Sequence, residues 1–137
     1  MNKFYNRFVD GPPAFGLLLL RVVAGLALMA HSWEKIHHPF NWMPGNKVPG
    51  ALQALAALGE FGGGLGLALG FLTPLAALGV LCTMCGAWVL VHRGQPWVNP
   101  GGKSFELPSL YALIAITLIL TGPGKISLDS FLFGGKK

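Results

Sequence analysis

Ala51–Leu72, ALQALAALGEFGGGLGLALGFL, is a 22-residue run that carries one charge, Glu60, and no proline. At about 1.5 Å per residue, such a helix is long enough to cross a hydrocarbon core of about 30 Å. Three further apolar stretches flank it: Ala14–Ala30, Leu75–Val91 and the shorter Leu107–Thr121. Proline and glycine punctuate the intervals, at Pro39, Pro44, Pro49 and Gly50, at Thr73-Pro74, from Gly94 to Gly102, and at Gly122-Pro123-Gly124. The pattern predicts an all-α fold over residues 1–137, a single domain built as an up-down-up-down transmembrane four-helix bundle.

Composition agrees with a membrane setting. The chain is 53% hydrophobic and 11% charged, whereas a soluble domain carries about 25% charged residues. High hydropathy with so little charge excludes disorder, and two cysteines are too few for a disulfide-stapled secreted fold. The net charge of +5 comes from ten Lys and Arg scattered over the ends and loops. No basic stripe with interleaved aromatics stands out, so no nucleic-acid partner is expected; the basic residues read as headgroup anchors facing membrane lipid. Arg21 interrupts the first span and no Ala-x-Ala site follows it, so that span is expected to stay in the mature protein. Lys3, Arg7, Lys125, Lys136 and Lys137 fall on the face that holds the termini, against Lys35, Lys47, Arg93 and Lys103 on the loop face. That balance of five to four predicts cytoplasmic termini. Aromatic residues mark both interfaces, with Phe4, Tyr5 and Phe8 on one and Trp33, Trp42 and Trp97 on the other.

An ionisable group in hydrocarbon is expensive and needs a partner, so the exceptions are informative. Helical rise puts Arg21 at a depth of about 10 Å from the terminal face and Glu60 at about 18 Å. These depths predict a buried Arg21–Glu60 pair beneath a polar mouth of His31, Lys35, His92 and Glu106. Such a set either satisfies itself and fixes helix register, or moves protons and hydrogen-bonds a quinone headgroup through Glu60, His31 and Lys35.

Gly62, Gly66 and Gly70 recur every four residues, which predicts a face for close helix packing, with room for a flat ligand beside Glu60 as the other reading. Cys82-Thr83-Met84-Cys85 has a redox-type spacing but falls mid-helix, where the thiolate is disfavoured. The positions of His31, His37, His38 and His92 match no metal-ligand signature, so no metal site is assigned.

Several short motifs resemble the DoxX family of small bacterial membrane proteins, related to the DoxD subunit of thiosulfate:quinone oxidoreductase. They are His31-x-x-x-Lys35, Gly59-Glu60-x-x-Gly63, Leu69-Gly70-Phe71-Leu72-Thr73, His92, Glu106-Leu107-Pro108 and Gly122-Pro123-Gly124-Lys125-Ile126-Ser127-Leu128-Asp129. Together they span residues 14–132. Pro74 departs from the basic residue that relatives often carry, and Ser32 from their glycine. The resemblance implies a multi-pass protein of the bacterial inner membrane, linked to redox or sulfur chemistry and often placed beside a soluble partner. Two functional readings follow. One is a membrane component of a quinone-linked or sulfur-linked oxidoreductase system, with Glu60 and Arg21 at its centre and His31, Lys35, His92 and Glu106 at its entrance. The other is a non-catalytic accessory subunit that packs through its glycine faces into a larger membrane complex. Whether the chain is itself an enzyme stays open at this point.

Overall fold

Pro12 and Pro13 open the first helix, where a missing N–H is harmless because the first amides of any helix lack intrahelical partners. The computed structural model describes residues 8–45 and 47–134, all helix, turn or loop. Five helices follow in order: α1 Pro12–His37, α2 Gly50–Leu69, α3 Thr73–Leu90, α4 Glu106–Thr121 and the short α5 Leu128–Phe133. The first three are long and apolar enough to cross a membrane. With 16 residues, α4 reaches only about 24 Å. Lys3, Phe4, Tyr5, Arg7, Lys136 and Lys137, which enter the orientation argument, lie outside the described residues.

Helix α1 outruns its apolar stretch by a full turn and more. Its last turns carry Trp33, Glu34 and Lys35, good enough helix formers to continue until Pro39, which pushes its predecessor out of the helical region. Helix α2 stops earlier than hydropathy suggests. Gly70 turns left-handed at φ 65°, the Phe71 amide donates back to the Gly66 carbonyl at 2.9 Å, and the Gly70 amide to Leu67 at 3.1 Å. Thr73 and Pro74 therefore begin α3 rather than forming the turn itself.

Packing runs α1 on α2, α2 on α3 and α3 on α4, while α1 and α4 meet only slightly. All four contribute to one buried apolar cluster, with Ala24 and Leu28 from α1, Leu67 from α2, Val80 and Met84 from α3, and Tyr111 and Leu118 from α4. The glycines of α2 face different neighbours. Gly64 meets the backbone of Gly25 on α1, Gly59 meets Thr83, Gly63 meets Val80, and Gly66 meets Ala76. The expected packing stripe of Gly62, Gly66 and Gly70 is thus corrected. A four-residue step drifts around the helix by about 40°, so Gly62 faces open space and Gly70 faces Arg21.

The α2–α3 turn is held from a distance. Leu72 sits left-handed at φ 45°, a conformation that costs a non-glycine residue about 1–2 kcal/mol. Its amide and that of Thr73 donate to the two carboxylate oxygens of Asp129, at 2.7 and 2.8 Å. Ser127 caps α5 by accepting from the Ser130 amide at 3.1 Å, and the Asp129 amide donates to the Gly70 carbonyl at 2.8 Å. The Arg21 guanidinium occupies the space where a Cβ on residue 70 would stand. Gly70→Ala is therefore expected to lower stability by at least about 1–2 kcal/mol through backbone strain alone, read as a lower unfolding midpoint in detergent.

At the same end an exposed pair, Lys125 with Asp10 at 2.6 Å, ties the start of the chain to the segment after α4, beside a bond from the Lys125 amide to the Val9 carbonyl at 2.8 Å. The hydrogen bond from Lys125 and that from the Gly11 amide hold the Asp10 carboxyl below its ordinary value of 3.8. A depressed acid stabilises the fold above its unfolded value and loses that contribution as pH falls below 3.8 through the native value. Acidification across that window is expected to release residues 8–10 before the helices unfold, detectable by hydrogen exchange at those amides.

Candidate functional site

Lys35 and Glu60 form the ion pair of the helical interior, Nζ to Oε2 at 2.6 Å, with side chains 23% and 7% exposed. The predicted Arg21–Glu60 pair is not formed. Arg21, fully buried, donates instead to the Ile126 carbonyl at 2.5 Å and the Leu67 carbonyl at 3.4 Å. The reason is side-chain direction. Cα–Cβ bonds on a helix tilt toward its N-terminus, so on α1 Arg21 leans away from Glu60 and Lys35 leans toward it. Because Gly25 faces Gly64, Lys35 reaches back about six residues of rise, or about 9 Å, to meet the carboxylate.

Around this pair lies a cavity of about 950 Å³, at the upper end of the range for small-molecule sites. His31, Lys35 and His92, three of the four residues expected at a polar mouth, line it together with Glu60. Glu106 does not line it: it opens α4, and the wall there is made by Leu107, Pro108 and Tyr111. His92 Nδ1 donates to Gln95 Oε1 at 2.8 Å, and the His31 ring meets Tyr111 edge-on at 6.4 Å. Tyr111 and Trp42 are site residues that sequence reasoning missed. Lys35 Nζ stands 4.7 Å from the centre of the Trp42 ring, so the lysine has a carboxylate on one side and an aromatic face on the other.

Buried Gln53 fixes the strap that carries Trp42. Its amide donates to the Val48 carbonyl at 3.0 Å and accepts from the Met43 amide at 3.0 Å, while its backbone carbonyl accepts from the Trp42 indole at 2.9 Å. A lone glutamine near the start of an apolar helix was the signal for this clamp. Gln53→Leu strands two backbone groups and is expected to cost about 1–3 kcal/mol and to loosen the strap at Met43 and Val48, seen as a shift in the fluorescence of the adjoining Trp42 indole. Cys82 and Cys85 are free and exposed on α3. Among the described residues no group of three or more His, Cys, Asp or Glu side chains is placed to hold a metal ion.

The sequence pattern of the DoxX family matches residues 16–93, more than half the chain. The chain belongs to the DoxX family. A curated relative named "Putative oxidoreductase CatD" from Bacillus subtilis is 31% identical over all of this chain and 96% of its own length. "Inner membrane protein YqjF" from Escherichia coli is 32% identical over 85% of this chain and 92% of its own. No solved structure matches this DoxX chain. The family assignment makes this a membrane protein, and the cavity with its Lys35–Glu60 pair is the candidate site of a DoxX fold.

Proposed function

We propose that this DoxX protein binds a lipophilic quinone in the cavity beside Lys35 and Glu60, as the membrane component of a redox system. The observation that carries the reading is a part-buried, oppositely charged pair at the polar part of an otherwise apolar cavity. Charged groups inside a membrane mark ligand or proton sites when they line a cavity rather than only each other. Lys35 supplies a hydrogen-bond donor and Glu60 an acceptor, and both can exchange a proton with the ring oxygens of a quinone. Trp42 offers a flat wall for the ring, and His31 and His92 relay protons from the loop face. Electrons pass to or from a partner protein, as the family resemblance implies. Arg21 has a positioning role only, through the α2–α3 turn.

In this reading α1–α4 all cross the bacterial inner membrane as an up-down-up-down bundle. The termini face the cytoplasm, and α4 stands nearly upright because it is short. Support for the setting comes from the name of the Escherichia coli relative, an inner membrane protein, and for redox work from that of the Bacillus subtilis relative, a putative oxidoreductase. The accessory-subunit reading rests on glycine faces and loops; of those glycines, Gly66 packs on Ala76 inside the chain.

Glu60→Gln keeps shape and removes charge. It is expected to weaken quinone binding at least tenfold with helix content unchanged, measured by titration in lipid nanodiscs. Unchanged affinity in the folded variant removes the proposed role.

A further inference from the structure

Four helical glycines have nothing within 4 Å of where a Cβ would stand: Gly16, Gly62, Gly79 and Gly86. Glycine weakens a helix interior relative to alanine, so each of these positions gives up helix propensity with no packing gained. Gly16 lies near the start of α1; the other three line the cavity that holds Lys35 and Glu60. The α2–α3 seam therefore carries two kinds of glycine. Gly59, Gly63 and Gly66 let the helices meet, whereas Gly62, Gly79 and Gly86 leave volume empty beside the meeting line.

That empty volume is long. The lining runs along α2 from Leu52 to Leu69, 17 steps of rise or about 26 Å, most of a hydrocarbon core of about 30 Å. Its outer walls are leucines open to the surroundings, with Leu58 60%, Leu65 41% and Leu75 64% exposed. A ring-shaped ligand at Lys35 and Glu60, which stands about midway along that lining, leaves the stretch from Gly62 to Leu69 unfilled, about 11 Å of rise. A single apolar chain, lying parallel to the helices and to neighbouring lipid tails, fits the rest.

We propose that the α2–α3 slot holds the apolar tail of the ligand whose polar ring rests at Lys35 and Glu60, and that Gly62 and Gly79 set its width. The inference rests on the quinone reading above and adds where the tail lies and how the ligand enters, sideways from the bilayer. Since a tail leaves lipid rather than water, the slot selects by close packing and not by water release.

The test uses two photoreactive analogues in nanodiscs, a quinone with a diazirine at the end of a long isoprenoid-type tail and one with the diazirine on the ring. The ring probe is expected to label the neighbourhood of Trp42 and Glu60, and the tail probe Leu65, Leu69 or Leu75. In Gly62→Leu/Gly79→Leu, tail adducts in the slot are expected to fall at least fivefold while ring adducts persist. Ring adducts at the polar end with tail adducts outside the slot, or tail adducts that survive saturation with a tail-less quinone, overturn the slot and leave the quinone reading standing. No ring adduct near the polar end in the wild type overturns the quinone reading itself. Loss of both sets in the variant with retained helix content makes the glycines part of the ring site and also overturns the slot.

Discussion

Asp129→Ala lowers the unfolding free energy by about 3–5 kcal/mol, one of the two largest effects expected of any single substitution in this chain. Three losses coincide. The amides of Leu72 and Thr73 lose their acceptors, and a buried donor without a partner costs about 1–3 kcal/mol. Arg21, fully buried, loses a neighbouring negative charge that favours its ionised form. The left-handed Leu72 loses the contact that holds it there. Asp129→Asn keeps an acceptor for one amide and is expected to recover part of the loss. Chemical denaturation in mild detergent measures both variants. An Asp129→Ala protein within about 1 kcal/mol of wild type contradicts the assignment, because a single ordinary hydrogen bond is worth that much.

Lys35→Met is the second. It leaves the Glu60 carboxylate, 7% exposed, without its cation. Removing one partner of a buried pair costs about 3–5 kcal/mol; the lysine side chain is 23% exposed, so the lower end applies. Replacing both, as in Lys35→Met/Glu60→Leu, removes the stranded charge and is expected to restore most of the stability, since an apolar pair of similar volume is often neutral. Quinone binding is expected to stay lost in the double variant. Recovery of stability together with binding makes the pair a structural device and contradicts a ligand role. Failure to recover stability places the cost elsewhere than in the ion pair.

The helices were legible because hydropathy, proline and glycine all point to the same breaks. Where hydropathy and backbone preference diverge, the boundaries moved: α1 runs on through Trp33 and Lys35 with no apolar face to mark it, and α2 ends at Gly70 inside an apolar run. Helix α5 is too short for periodicity, and its one local signal is the Ser127 cap. The site was half legible. Burial of charge in an apolar span singled out Glu60 and Arg21, and depth brought His31, Lys35 and His92 to one end. Partner choice was not, because depth along a helix ignores the direction in which its side chains lean. That rule turns Lys35 inward to Glu60 and sends Arg21 to the Ile126 carbonyl, 105 residues away in sequence. The contacts of Trp42 and Asp129 were not legible for a related reason: each reaches its partner by way of a loop whose path hydropathy does not encode.

Native mass spectrometry of the protein extracted gently from its own membrane reads quinone occupancy directly. A wild-type chain is expected to carry a quinone-sized mass and a folded Glu60→Gln chain to lack it. A wild-type chain free of ligand, or equal occupancy in the two proteins, contradicts a quinone site at Glu60.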